Sequence, residues 1–459
     1  MPEIKPPYRH QMRAVVKAVK SFDNGCGLYV AHRPGAGKTR TGIMTAQAVR
    51  AKRILVLCPK IARGVWQDQI RLYWPGHLGR FYITNYDRLT TVVRRKRANG
   101  KPYKEHRGKA LEKRLIAWKP YLVILDEGHY AKAPHSQRTK SVHRIVQALP
   151  HSRVLLLSGT PSHSPLDWWA QYRMIAPKHP MWRQNFSAYR SQVAVMGGPT
   201  GNWVTGFDVD GLAEALEATR RYTDVVDKLN LPDPVEQTVP LTLSPAEKAV
   251  YEKMKHDLFV ELSDDSVSEA TTVLTKLLRL QQITSGFLRD TDRVDHPTGR
   301  TKIAALVELL GMGKWSKVVV SCNFLYDVDV VEAACGKVLG EPMVITGDTS
   351  ETRRNEIVRK FRDAEKALVV MHPKAGGISV DFSSADALVR YSLNPSTIVE
   401  EQLVSRCWRP PRTTPLQVVT LICRNTVDGI MDDALKNKMK TTGLIRMLKR
   451  HLRGGEHGS

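Results

Sequence analysis

The feature that most constrains this chain is a recurrence of short, wholly apolar runs that end in small or polar residues. The first half carries "RILVLCP", "RFYITNY", "YLVILDE" and "RVLLLSGTP". The second half carries "KVVVSCN", "PMVITGD", "ALVVMHP", "ALVRYSL" and "QVVTLIC". A strand with one wet face alternates apolar and polar residues, whereas a run apolar at every position is buried on both faces. Stretches of helical spacing separate these runs, and strands alternating with helices predict parallel sheets with helices on each side. Two such sets, split by a region without them, predict two α/β domains in tandem. The prolines of "NLPDPVEQ", Asn230 to Gln237, mark the linker. Open α/β sheets bind ligands at the carboxyl ends of their strands, and the polar residues of these runs stand there.

One such end is unusually informative. "GLYVAH" reads as a buried strand, "RTGIMTAQAVR" as a helix, and between them lies "HRPGAGKTR", His32 to Arg40. The full phosphate-loop pattern is a glycine, four variable residues, then Gly-Lys-Ser/Thr. Here Gly37, Lys38 and Thr39 supply the second half, Pro34, Gly35 and Ala36 the permissive turn, and His32 stands where the first glycine belongs. Such a loop turns backbone N–H groups toward phosphates at the positive end of a helix. Lys38 would reach the β- and γ-phosphates of ATP, and Thr39 would place a hydroxyl on Mg2+.

Further along, "VILDEGH" sets Asp126 and Glu127 at the end of a buried strand. Adjacent carboxylates there suit separate tasks, Asp126 holding magnesium and Glu127 polarising the attacking water. His129 would couple that pair to the "LSGTP" turn, with Ser158 and Thr160. In "EEQLVSRCWRPPR", Gln402, Arg406 and Arg409 are spaced four and three apart, so on a helix they share one face. Arginines facing an ATP bound by the other domain would stabilise the charge of phosphoryl transfer.

Charge narrows the partner. Seventy Lys and Arg against 45 Asp and Glu give a formal charge of +25, which favours nucleic acid over a membrane because phosphate contacts release counterions. Six cysteines without C-x-x-C spacing suggest neither a zinc site nor a disulfide framework. With no signal peptide and no bilayer-length apolar run, a cytoplasmic location is expected; a monomer is expected as well.

The motifs then fall into a family order: Gln11 in "PPYRHQMRAV", "PGAGKT", "LVLCPKIARGVWQDQI", "ITNYDRL", "LDEGHYAK", "LSGTPSHSPLDWWAQYRMIAP", "SGFL", "VITGDTSETRRNEIVRKF", "KAGGISVDFSSADALVRYSLNP" and "QLVSRCWR". In this order the chain resembles the superfamily-two helicases and translocases, specifically the Swi/Snf-like branch, over about Tyr8 to Met431. That branch has no glycine at the first loop position, so His32 is no defect. The resemblance implies two RecA-like domains with an ATP cleft between them. It implies ATP contacts from Gln11, the loop, Gly377 and Asp381, and catalytic roles for Lys38, Asp126, Glu127, Gln402, Arg406 and Arg409. It places Lys60, Arg63, Thr84, Asn85, Asn323 and Lys374 along a groove that grips DNA phosphates. Two departures stand out: Asp381 replaces the family's asparagine, and the arginine motif runs into Pro410-Pro411 instead of Ile-Gly-Gln. The chain looks like the compact bacteriophage-carried members, which act on bare, often branched DNA.

Two segments fall outside that common core. Residues 94–114 carry ten Lys/Arg against two Glu, either a solvated disordered loop or a phosphate-binding arm. Ser191 to Phe207, "SQVAVMGGPTGNWVTGF", reads as a β-hairpin through alternating Val193 and Val195, a Gly/Pro-rich tip, then Trp203 and Phe207. It is either a strand-separating pin or a cover for the core. The expected organisation is a first RecA-like domain over 1–175, an accessory segment with the hairpin and linker over 176–236, a second domain over 237–445, and a flexible tail over 446–459. The function expected is an ATP-dependent DNA helicase or branch-migrating motor on forked or four-way DNA, in replication, recombination or repair. The alternatives are a duplex translocase that strips proteins, an RNA helicase, and a non-catalytic nucleic-acid scaffold.

Overall fold

In a computed structural model the chain divides into two units, residues 1–230 and 231–459. The structure describes residues 6–60, 62–96, 102–159, 164–197, 203–226, 231–263, 270–336, 338–373, 380–410, 412–437 and 447–448. The first unit contains β1 (Leu28–His32), β2 (Ile54–Cys58), β3 (Phe81–Asn85), β4 (Val93–Lys96), β5 (Pro102–Glu105), β6 (Leu122–Asp126), β7 (Arg153–Leu157), β8 (Ala194–Gly197), β9 (Trp203–Phe207) and β10 (Thr223–Val226). Six of these make one sheet in the order β10-β1-β7-β6-β2-β3, parallel throughout.

Its apolar runs are apolar at every position because alternate residues serve opposite faces. Tyr29, Leu55, Leu57, Val123, Leu125 and Leu156 enter one core; Leu28, Val30, Ile54, Val56, Ile124 and Leu155 enter the other. Neither face is left for water, so no polar alternation survives. The order sets the ends of β1, β7 and β6 side by side, and these ends carry the phosphate loop, Ser158, and the Asp126–Glu127 pair.

The second unit repeats the plan. It contains β11 (Val235–Leu241), β12 (Phe287–Arg289), β13 (Asp295–Pro297), β14 (Lys317–Ser321), β15 (Met343–Ile345), β16 (Ala367–Met371), β17 (Ala387–Arg390) and β18 (Gln417–Cys423). Its six-stranded parallel sheet runs β11-β18-β17-β14-β16-β15. Val318, Val320, Val370 and Val389 fill one face, and Val319, Val369 and Leu388 the other. Two tandem parallel-sheet α/β units are the fold class the sequence predicts.

The expected boundaries shift in two places. The segment after residue 175 is no separate body: β10 pairs along β1, from Tyr29–Thr223 to His32–Val226, and so completes the first sheet. Linker residues Val235, Glu236 and Gln237 belong to β11, paired with Gln417, Val418 and Val419. A proline-containing strand is tolerated there because β11 is an edge strand.

The described residues of the basic insert form regular structure. β4 and β5 pair antiparallel, and a helix, Arg107–Trp118, follows with Leu111 and Leu115 in the core. The hairpin is present too: β8 pairs with β9 from Ala194–Phe207 to Gly197–Trp203, with an irregularity at Val195–Met196. One detail is corrected. Val193 ends the helix Phe186–Val193 and is buried, so no strand alternation starts from it. Phe207, partly buried, packs one side against the first core because it sits at the base of the hairpin opposite buried Ala194.

Candidate nucleotide-binding site

The phosphate loop is shaped by residues on both sides of it. Gly35 and Gly37 take φ of 86° and 77°, the left-handed region that glycine enters without steric cost. Gly37 then caps the helix Lys38–Ala48, leaving its first backbone N–H groups for an anion. Gln11 lies buried behind the loop: its Nε2 donates to the Gly37 and Ala36 carbonyls at 3.2 and 3.4 Å, and its Oε1 accepts from the Tyr8 N–H at 2.9 Å. A Cβ at Gly37 would collide with that amide. Gln11 is thus a prop for the loop, and His10 Nε2, 2.9 Å from the Ala36 oxygen, is a second. Lys38 Nζ donates to the His32 carbonyl at 3.1 Å, which holds the ammonium under the loop.

His32 is fully buried, with Nε2 2.7 Å from Asp224 Oδ2. Asp224 also accepts Arg13 Nε and Nη2 at 3.0 and 3.2 Å. Burial outweighs the aspartate and lowers the His32 pKa. The residue in the glycine position is therefore a structural tie between β1, β10 and the helix Arg9–Asp23. Sequence alone hides this tie, since Asp224 lies 192 positions away.

At the end of β6 the two carboxylates differ. Asp126 Oδ2 accepts the Trp66 indole N–H at 2.8 Å, and Oδ1 accepts the Glu127 backbone N–H at 3.1 Å. Burial, and next the Glu127 charge, push its carboxyl up to about 6 despite Trp66 and Lys38. Glu127 has φ of 50°, which swings it off the strand. Burial alone would raise its pKa, but His129, the Lys38 charge and Ser158 overcome this and hold it below the ordinary value. His129 Nδ1 lies 3.2 Å from Glu127 Oε2 and 3.1 Å from Ser158 Oγ, and Ser158 Oγ donates to Glu127 Oε2 at 3.5 Å. Of the residues expected to couple, His129 and Ser158 meet at Glu127; Thr160 lies outside the described residues. Tyr86, a residue of "ITNYDRL" to which the sequence assigns no role, donates its hydroxyl to the Asp126 carbonyl at 2.8 Å.

A half-buried Thr39 hydroxyl at the helix start and the Asp126 carboxylate are hard oxygen donors. They fit magnesium, which takes few protein ligands and keeps phosphate oxygens and water. Among the described residues no cluster of three or more His, Cys, Asp or Glu forms a dedicated metal cage, and that ion needs none. Bound there, magnesium would neutralise charge on the β- and γ-phosphate oxygens.

In the second unit one expectation is corrected. The helix Thr397–Cys407 carries Gln402 and Arg406, but it ends before Arg409. A residue preceding proline is pushed out of the α region, and Pro410 follows Arg409. Arg409 Nε instead donates to the Ser405 carbonyl at 3.0 Å, and Nη1 lies 3.8 Å from Asp381 Oδ2. Arg406 is buried, 4% exposed. Arg412, unremarked in the sequence, fixes the segment beyond the prolines by donating to the Ser383 and Ala385 carbonyls at 2.9 and 2.8 Å. Gly377 and Lys374 lie outside the described residues.

The remaining DNA-contact candidates divide. Lys60 is exposed and Arg63 half-buried at the start of the helix Ala62–Tyr73. Thr84 is fully buried, and Asn85 caps the next turn by accepting the Arg88 N–H at 3.0 Å. Asn323 Oδ1 accepts from Asn394 Nδ2 at 2.7 Å. The Asn85 and Asn323 side chains are thus engaged inside their own units, whereas the Thr84 hydroxyl is buried without a hydrogen-bond partner among the described residues.

A parallel sheet with a Gly-Lys-Thr loop after one strand and an Asp-Glu pair after a near neighbour defines a P-loop nucleotide-binding unit. The match to the SNF2-related domain over residues 10–286, well over half of the chain, followed by the helicase conserved C-terminal domain over 301–411, shows that it belongs to the Swi/Snf-like branch of superfamily-two helicases and translocases. Among its relatives, an uncharacterised ATP-dependent helicase of Mycoplasma genitalium is 24% identical over 316 residues, 67% of this chain and 29% of that protein. The mouse SWI/SNF-related matrix-associated actin-dependent regulator of chromatin subfamily A member 1 is 23% identical over 483 residues, 96% and 44% of the two chains. The bovine DNA annealing helicase and endonuclease ZRANB3 is 23% identical over 337 residues, 70% and 29%. The chain spans less than half the length of these relatives. No helix among the described residues is long and apolar enough to cross a membrane.

Proposed function

We propose that this protein is a DNA-dependent ATPase that tracks along DNA and unwinds or branch-migrates forked or four-way junctions. The observation that carries the reading is the built site on the first unit: a propped phosphate loop with Lys38 beneath it, facing a carboxylate pair of unequal character. Glu127, kept ionised by His129 and Ser158, is suited to orient the attacking water; Asp126 and Thr39 are suited to hold magnesium. Arg409, with Arg406, supplies positive charge to the transferring phosphoryl group, and Gly377 and Asp381 complete the ATP contacts. On this reading each ATP turnover changes the grip of Lys60, Arg63 and Lys374 on DNA phosphates. The net charge of +25 supports a polyanion partner, and the relative named as a DNA annealing helicase supports DNA as that polyanion.

One observation favours a second reading, translocation on duplex without strand separation: the hairpin's Phe207 packs one side against the core. ATPase rates with single-stranded, duplex, forked and four-way DNA and with RNA, each paired with strand displacement, separate the readings. Stimulation by forks with displacement supports the first. Duplex stimulation without displacement supports the second, and an ATPase indifferent to nucleic acid rejects both.

A further inference from the structure

Trp66 lies within the motif "LVLCPKIARGVWQDQI" without a role in the proposed chemistry, yet it touches two parts of the site. It is fully buried on the helix Ala62–Tyr73. Its indole N–H is a single donor, and a buried one needs a partner; it finds Asp126 Oδ2 at 2.8 Å. The other Asp126 oxygen is held by the Glu127 backbone N–H at 3.1 Å, so both oxygens of the carboxylate are fixed in direction. The far edge of the ring lies against Gly42: a Cβ there would come within 2.8 Å of Trp66 Cη2. Gly42 belongs to the helix Lys38–Ala48, whose first turn carries Thr39. One rigid ring thus abuts the helix bearing the metal hydroxyl and bonds the carboxylate proposed as its partner.

The helix that carries Trp66 begins at Ala62, one residue before Arg63 and two after Lys60. Arg63 and Trp66 are three positions apart, so they lie on neighbouring parts of one helical surface. A displacement of that first turn moves the indole, and the indole can move only by disturbing Asp126 or the Gly42 contact. Packed interiors transmit such displacements because they have no slack.

We propose that Trp66 is a positioning residue that links nucleic-acid contact at Lys60 and Arg63 to the metal-holding orientation of Asp126. Occupancy of the phosphate-contact turn then sets how well magnesium and nucleotide are held, and Trp66 is the mechanical step between them. The link rests on the DNA-motor reading above.

The test uses the full chain with Trp66→Phe, which keeps a buried ring and deletes the N–H. A second variant places benzothienylalanine at position 66, an isostere whose sulfur cannot donate, should phenylalanine loosen the core. Equilibrium binding of a fluorescent ADP is titrated with magnesium and then repeated without it; ATPase stimulation by forked DNA is measured in parallel. The expected result is an unchanged magnesium-free affinity and a magnesium half-saturation raised about 10–100-fold, the usual cost of losing a group that orients a metal ligand. DNA stimulation should fall toward the unstimulated rate. Wild-type values for magnesium half-saturation and DNA stimulation in a variant that melts normally would overturn the link. A wild-type protein that DNA does not stimulate rejects the motor reading instead, and the magnesium titration still decides whether Trp66 positions Asp126.

Discussion

Replacing Glu127 with glutamine separates chemistry from structure more cleanly than any other change in this protein. The substitution keeps size and shape, exchanges one acceptor oxygen for an amide donor, and removes one charge from a buried pair. Ionising Asp126, whose pKa lies at about 6 instead of 3.8, costs about 3 kcal/mol in the folded state at neutral pH. Burial is the larger cause and Glu127 the next, so the variant regains only part of that cost. Against this gain stands the loss of favourable interactions of ionised Glu127 with His129, Lys38 and Ser158. The two effects oppose, so the melting midpoint should stay within about 2–4 °C of wild type, the shift that about 1 kcal/mol produces in a unit of this size. Turnover behaves differently, because an amide cannot draw the proton of the attacking water. A loss of about 10²–10⁴-fold in kcat is expected, with ATP and DNA still bound, since the phosphate loop is untouched. The assays are steady-state phosphate release, equilibrium binding of a fluorescent ATP analogue, binding of labelled DNA, and a thermal melt. Hydrolysis within a few-fold of wild type refutes the assigned role; a melt lowered far beyond that range means the charge balance is misjudged.

Arg409→Lys keeps the charge but loses the planar fork, so kcat should fall by about 10³-fold with ATP affinity nearly unchanged; a rate within a few-fold of wild type moves the role to Arg406. Replacing Met196 to Trp203 with a short Gly-Ser turn should spare DNA-stimulated ATPase and abolish fork unwinding if the hairpin is a pin, while survival of both activities makes it a core cover. His32 titrates below its ordinary value because it is buried. The unfolded chain therefore binds a proton near pH 6.5 that the folded protein refuses. Stability present above pH 6.5 should be lost as pH falls toward the lowered folded pKa, and denaturant titrations of His32→Gln should lack that slope; an unaltered slope assigns the effect to another group.

The elements of this fold were legible from local pattern because strands buried on both faces and helices with one apolar stripe leave different periodicities. The parts of the candidate site were legible for the same kind of reason. A phosphate loop, a strand-ending Asp-Glu pair and a Ser-Gly-Thr turn are short, contiguous and dictated by the geometry of phosphate binding, so Lys38, Thr39, Asp126, Glu127 and His129 could be named from the chain alone. What required the tertiary structure is what side chains do across long separations. The sheet order that brings β1, β7 and β6 together, the His32–Asp224–Arg13 tie and the Trp66–Asp126 bond join residues whose sequence context says nothing of one another. The same holds for the residues that moved. Gln402, Arg406 and Arg409 share a face only while a helix lasts, and Pro410 ends it. Phe207 looks like an exposed aromatic until β8 and β9 pair and set it against the core. Periodicity and motif are local properties and are carried by the sequence; burial and partnership belong to the packed chain, because only packing decides which surface water still reaches.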